Sequence, residues 1–562
     1  MAQNVSPGVY TRIIDLSDYV QNVPSTIGFI PIICGMGEDN KLVMTNNRDF
    51  FIDYGEPNIM YGGKAFSQGP FIAASFMQQS DSLYIVRCLP DDADYANLTV
   101  AVDSTGSVSV DSTTNLNSHS LLDSTIEDAT DNLFVFYGLG RGEGYGDFQI
   151  NISRHINPQL GDPAVTLSND VIYILDIYRK QRELGDDGQP RYAIINTFNV
   201  SLNMNRLDSS GETMWIEDVV NTYSRFIKIK ANPIKCLALI NSPTFIDISD
   251  AFLTGPAGLD NGTSGTLFNI NGAIDATVAT QILTKAYSGT LISPVNGLEL
   301  TNVTDTDDTY FSIVLDGGYP TDVKKTGIVQ NLALIRQDCI AILDNGDNAS
   351  PDDALTVRTN THDFNTKYAA LYECYSKVYD MYSGRDIWIS PVYHMANIIP
   401  YTDNVSELWF APAGFNRATI GTIKELRFSP ALGMRDQFYL NQINPIVKFN
   451  VGYTVYSQLT TQKRPTALQD VNVVRLVLYV KRAFEQFCKF YIFEQNNSDT
   501  WSKISIEASQ FLRQIQNKRG LESFTVEVGA TEYELKSKQI HCNVSLSPTK
   551  VVEQIFLNFY IM

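Results

Sequence analysis

The apolar pattern of this 562-residue chain breaks off near Asp91 and resumes near Thr326, and that interruption constrains the fold more than any single motif. Ahead of the break, "STIGFIPIIC" (Ser25–Cys34) and "SLYIVRCL" (Ser82–Leu89) read as buried strands, with "GPFIAASFMQQ" (Gly69–Gln79) a short helix between them. That is the start of an α/β protein. From Asp91 to Ser120 the text turns to Ser, Thr, Asp and Asn with alternating valines, which predicts short strands joined by polar turns. Extended segments continue through "VIYILDIY" and "AIINTFNVSLNM", and Leu253–Asp275 reads as an exposed loop. Residues 96–315 are therefore expected to be β-rich material inserted into, and protruding from, an α/β core. Helical spacing then returns in Thr326–Asn345 and in Phe364–Tyr382, and "DIWISPVYHMANIIP" (Asp386–Pro400) reads as a strand entering a helix.

The C-terminal stretch carries the clearest periodicity. "VNVVRLVLYVKRAFEQFCKFYIF" (Val471–Phe493) is apolar on most sides, as in a buried helix. In the next helix Trp501, Ile504, Ala508, Phe511, Leu512 and Ile515 form one stripe, and Gly520 is placed to end it. Phe524, Val526 and Val528 alternate, as do Ile540, Cys542, Val544 and Leu546, and finally Ile555, Leu557, Phe559 and Ile561. Near the other end, "SPGVYTRIID" (Ser6–Asp15) is also strand-like. Two extended tails are thus available for pairing.

Several classes of function are disfavoured. A formal charge of −20 repels phosphate backbones, so no nucleic-acid partner is expected. No long apolar run and no basic-then-apolar leader occurs, so neither membrane insertion nor a secretory signal is expected. The seven cysteines are widely spaced and read as reduced core thiols. P-loop, H-E-x-x-H, C-x-x-C and G-x-S-x-G patterns are all missing, and no catalytic residue, cofactor or metal site is expected. "GLGRGEGYGD" (Gly138–Asp147) lacks the dinucleotide spacing and reads as a flexible turn or loop. Asp-rich Thr304–Asp308 and Asp344–Asp353 read as solvated turns rather than calcium loops, and His394 and His541 as structural.

The order of segments resembles the contractile tail sheath proteins of bacteriophages and related injection systems. "SPGVYTRIID" looks like the family's N-terminal arm, and "GFIPIICGMGEDNKLVMTNNRDFFIDYGEP" is similar to its first strand, turn and Phe-rich segment. "RDIWISPVYHMANIIPYTDNVSELWFAPAGFNRATI" resembles the segment ending in Ala-Pro-Ala-Gly, here Ala411–Gly414, and "LNQINPIVKF" its Ile-Asn stretch. "NVVRLVLYVKRAFEQFCKFYIFEQNNSDTWSKI" resembles the family's Arg-Leu helix and Glu-x-Asn…Trp turn. The chain departs from the family's Gly-Gly-x-Asp-Gly at "LDGGYPTDVKK".

This resemblance implies an α/β (α+β) multidomain protein. Its expected parts are an N-terminal arm (1–22), a sheath core in two pieces (23–95 and 316–440), the inserted region (96–315), a C-terminal inner domain (441–550) and a terminal strand (551–562). It implies a homo-oligomer of stacked hexameric rings around a tail tube protein, bounded by baseplate and tail terminator proteins. Such a protein belongs to the virion and is assembled in the host bacterial cytoplasm. The implied strand-exchange residues are Val9, Tyr10, Thr11, Arg12, Ile13 and Ile14, with Ile555, Leu557, Phe559 and Ile561. Lys503, Arg513 and Lys518, on a locally basic helix, are the implied tube-facing residues. A baseplate component built on a sheath-like fold and a glycan-active multidomain enzyme remain the alternatives.

Overall fold

The computed structural model describes residues 26–55, 68–127, 131–155, 171–184, 188–243, 246–267, 274–295 and 301–553. Contacts divide the chain into two units, one of Thr26–Arg475 and one whose described residues begin at Leu476.

The first unit is organised by a nine-stranded sheet. Its centre is parallel, with Gly28–Ile32 between Leu83–Arg87 and Ile313–Leu315, followed outward by Ile340–Asp344, Ala369–Glu373 and Ile443–Phe449. Leu42–Thr45 closes one edge antiparallel, and Gly452–Val455 with Thr419–Ile420 closes the other. Strands such as GFIPI, IVL and IAILD are buried along their whole length, as a parallel sheet covered on both faces requires. Helix Ala276–Ser288 and the π-helical Val323–Ala333 share one hydrophobic core with Phe29, Val86, Val314, Ala341 and Leu371. Helices Gly69–Met77 and Pro391–Val405 pack on each other, with Ser75 Oγ donating to the Tyr393 carbonyl at 2.8 Å.

Between the two halves of this sheet the chain builds two antiparallel four-stranded sheets. One orders Ile227–Ala231, Asn132–Gly138, Asn97–Val102 and Val108–Asp111; the other Ala257–Gly258, Phe148–Arg154, Ile172–Leu184 and Pro190–Ser201. They share a core through Phe134, Phe136, Phe148, Ile177 and Ile229. Helix Ala276–Ser288 falls within residues 96–315, yet it packs on the nine-stranded sheet rather than on these two sheets. The helical reading of Phe364–Tyr382 is corrected: Ala369–Glu373 and Ser376–Asp380 are strands. Short apolar runs suit either state, and burial in the sheet centre decides here.

"GLGRGEGYGD" is not a flexible loop either. It is a buried joint between the inserted sheets and the core. Arg87, fully buried, donates from Nε to the Cys34 carbonyl (3.0 Å), from Nη1 to Gly37 (2.8 Å) and from Nη2 to Gly35 (3.1 Å). Arg141 clamps Asp39 through its backbone N–H (2.8 Å), Nε (2.9 Å) and Nη2 (2.8 Å), and reaches the Asp91 carbonyl at 3.0 Å. The glycines let the two backbones meet, since a Cβ at Gly140 would lie 2.1 Å from the Gly37 oxygen and one at Gly144 2.4 Å from the Gly35 oxygen.

At the carboxyl ends of the parallel strands sits a second buried polar centre. Lys324 bridges Asp316 (3.3 Å) and Asp344, and Asp344 also accepts from Ser390 Oγ (2.6 Å) and Tyr375 Oη (3.1 Å). Glu373 accepts from Asn345 (2.8 Å), Asn348 (2.9 Å) and the Cys374 N–H (3.0 Å). The acidic run from Asp344 is therefore not a solvated turn throughout: Asp344 is buried, and Ser350 caps the helix Pro351–Asn360. His394 is buried with Nε2 2.7 Å from Ser376 Oγ, and all seven cysteines are free. Among the described residues no helix is long and apolar enough to cross a membrane, and no His, Cys, Asp and Glu group is placed to hold a metal.

Two predictions follow from these centres. Gly140→Ala is expected to cost about 1–3 kcal/mol in urea unfolding, because the added methyl overpacks a backbone contact. Gly146→Ala, whose nearest neighbour would be the Leu259 oxygen at 3.6 Å, should change little. Burial pushes the Glu373 carboxyl from 4.5 up to about 7, against the pull of its three donors. The folded state then holds this proton more tightly than the unfolded chain. Its contribution is complete below pH 4.5 and is lost as pH rises through about 7, so stability should fall across that window. Unfolding of Glu373→Gln as a function of pH should show a shallower fall.

Candidate assembly surface

The second unit is built from the helix Val471–Lys489 from Leu476 onward, the helix Ser498–Asn517, and one hairpin. Asn497 caps the second helix, its side chain accepting from the Thr500 N–H at 3.0 Å, while Trp501 Nε1 donates to Asn496 at 2.7 Å. Ile504, Ala508, Phe511, Leu512 and Ile515 are buried, and Trp501 is half-buried at the stripe's end. The left-handed residue past the helix is Arg519 (φ 65°) rather than Gly520, whose N–H returns to the Ile515 carbonyl at 2.9 Å. The preceding helix stops at Lys489, earlier than its apolar pattern suggests. Phe490, Ile492 and Phe493 stand exposed beyond it, with Phe493 at φ 73°.

Strands Leu521–Gly529 and His541–Pro548 form an antiparallel pair in which Phe524 faces Leu546, Val526 faces Val544, and Val528 faces Cys542. The residues that alternate in sequence thus share one face, and Val526, Val528 and Cys542 pack on Phe487, Ile504 and Ala508. Helix Glu532–Lys536, capped by Thr531 and Glu534, connects the strands, and His541 Nδ1 lies 3.0 Å from Glu534. His541 therefore meets a carboxylate at a partly open site.

Among the described residues each strand of the hairpin pairs only with the other, so each keeps one edge open, and the apolar face is only half-buried. Lys503, Arg513 and Lys518 are all exposed; by the helical repeat Arg513 falls opposite the buried stripe and Lys503 on its flank. Residues Val9–Ile14 and Ile555–Ile561 lie outside the described residues. The open edges are the feature that residue-by-residue reading missed. The alternation at 524–528 and 540–546 marks both strands, but nothing local says that they lack outer neighbours.

Residues 463–562 match the family model described as the phage tail sheath C-terminal domain. Over those residues the chain is similar to tail sheath proteins. The tail sheath protein of Vibrio phage KVP40 is 31% identical over 198 residues, covering 34% of this chain and 30% of that protein. That of Enterobacteria phage T4 is 28% identical over 204 residues, covering 36% and 31%. The match thus spans about a third of each relative. The fold, α/β with several sheets, is that of solved sheath tail proteins. The one from Listeria innocua aligns with a TM-score of 0.56 at 11% identity over 94% of this chain and 92% of its own, and the one from Desulfitobacterium hafniense with 0.52 at 11% over 98% and 99%.

Within the sheath domain, Phe511→Ala is expected to cost about 3–5 kcal/mol in chemical unfolding because its ring is buried. Arg513→Ala should stay within about 0.5 kcal/mol of the parent.

Proposed function

We propose that the protein is the structural subunit of a contractile tail sheath. It polymerises as stacked hexameric rings around a tail tube, in a virion put together in the host cytoplasm. The observation that carries this reading is the two-stranded sheet with open edges inside a sheath-type C-terminal domain. Val9, Tyr10, Thr11, Arg12, Ile13 and Ile14 of one neighbour, and Ile555, Leu557, Phe559 and Ile561 of another, complete that sheet. Each added backbone hydrogen bond contributes roughly 0.5–1.5 kcal/mol net, and alternate apolar side chains cover the half-buried face. Such joints link rigid bodies that rotate without separating. Contraction is then a downhill change of subunit packing, set off at the baseplate, with no catalytic step.

On the same reading Lys503, Arg513 and Lys518 face an acidic surface of the tube protein, and a terminator protein closes the far end. The domain division 1–22, 23–95, 96–315, 316–440, 441–550 and 551–562 assigns the outer two segments to exchange.

Deleting Met1–Asp15 tests the reading. The truncated chain should fold, with circular dichroism and melting like the parent, yet form no striated sleeves in negative-stain micrographs. Normal sleeves would refute strand exchange, and isolated rings from the full chain would favour a baseplate role.

A further inference from the structure

We propose that a basic, aromatic corner of the Thr26–Arg475 unit docks onto an acidic turn at the opposite end of the sheet in a second copy of the chain, a contact that rests on the assembly reading above. Phe415, Phe449 and Tyr456 form the corner, with ring centroids 5.1 Å apart for Phe415–Phe449 and 4.8 Å for Phe449–Tyr456. Arg435, from helix Leu432–Leu440, lays its guanidinium 5.4 Å over both Phe449 and Tyr456. Lys448 lies 5.8 Å over Tyr453. Among the described residues neither Arg435 nor Lys448 has a carboxylate partner, whereas nearby Lys424 and Arg427 are paired with Asp386 and Asp347. Phe415 and Tyr456 are 47% and 48% exposed, and Val451 and Leu432 are 70% and 69% exposed. In a chain of charge −20, cations held over exposed rings, with no carboxylate partner among the described residues, make a surface suited to carboxylates.

The chain offers such carboxylates on a rigid mount. Asp305, Asp307 and Asp308 are exposed on a turn pinned from beneath by buried Arg336. Its Nη1 donates to the carbonyls of Val303 (2.7 Å) and Asp305 (3.3 Å), and Nη2 to that of Thr309 (2.7 Å). The turn precedes the strand Ile313–Leu315, so it lies at the amino ends of the parallel strands. Phe449 closes the carboxyl end of Ile443–Phe449, which runs in the same direction through the intervening ladders. One strand length, roughly 20 Å, separates the two patches and keeps them from meeting within one copy. Between copies the contact is head-to-tail, the kind that propagates instead of closing on a pair.

The test uses the full chain with either Arg435→Glu and Lys448→Glu, or Asp307→Lys and Asp308→Lys, or all four. All positions are exposed or at the surface, and unchanged melting confirms folding. Sedimentation velocity and negative-stain micrographs should show that each one-sided reversal weakens association at least about tenfold, while the four-fold variant recovers most of it. Sleeves from the parent that both one-sided reversals leave intact overturn this contact alone. Loss with the basic reversal but none with the acidic one overturns the second copy as occupant and points to another acidic partner. A parent chain that never associates overturns the sheath reading and this contact with it.

Discussion

Backbone hydrogen bonding on both sides of the strand Gly28–Ile32 holds the first unit together. One ladder joins it to Leu83–Arg87 close in sequence, and the other to Ile313–Leu315, hundreds of residues away. The inserted sheets can exist because the chain leaves after Leu83–Arg87 and returns at a strand beside the one it began from. Little space is spare at this seam: a Cβ on Gly28 would sit 2.8 Å from Leu83 and 2.9 Å from Phe76. The Arg141–Asp39 clamp and the glycine run then fix the insertion's first crossing, so the excursion is anchored by buried ionic bonds as well as by the ladder.

In doubly wound sheets the crevice at the carboxyl ends, where strand order reverses, is the usual ligand site. Here the reversal falls between Gly28–Ile32 and Ile313–Leu315, and beside it a cavity of about 520 Å³ is lined by Gln68, Tyr319, Lys324, Asn348 and His362. Tyr319 donates to the Pro31 carbonyl across the gap, and Gly69 gives its ring room, since a Cβ there would meet Tyr319 Oη at 2.6 Å. One strand further on, the single ammonium of Lys324 bridges Asp316 and Asp344. These buried contacts tie the strands on either side of the reversal together.

The sheath domain is built on the opposite principle. Its helix stripe is buried from Ile504 to Ile515, but among the described residues its hairpin has half-covered side chains and one open edge on each strand. An open sheet edge offers unpaired backbone donors and acceptors, and covering an apolar face lowers free energy.

Much of this was legible in residue order. Period-two alternation at Phe524–Val528 and Cys542–Leu546, the stripe Ile504–Ile515 and the apolar run GFIPI each name their own secondary structure, because burial on one face writes a local period. The helical spacing of Phe364–Tyr382 belongs to two strands, and Phe490–Phe493 stand outside the helix that ends at Lys489, because apolar spacing over a few residues is compatible with more than one state. The interruption after Asp91 announces an insertion, yet its joint was taken for a loose loop, since close backbone approach and flexibility use the same glycines. The sequence by itself determined the local elements, the acidic surface and the likeness to sheath proteins. Only the tertiary structure decided which strands pair, where Lys324 and Arg141 meet their carboxylates, and which cations have no carboxylate partner among the described residues. Those properties belong to residues far apart in the chain, and only folding brings them together.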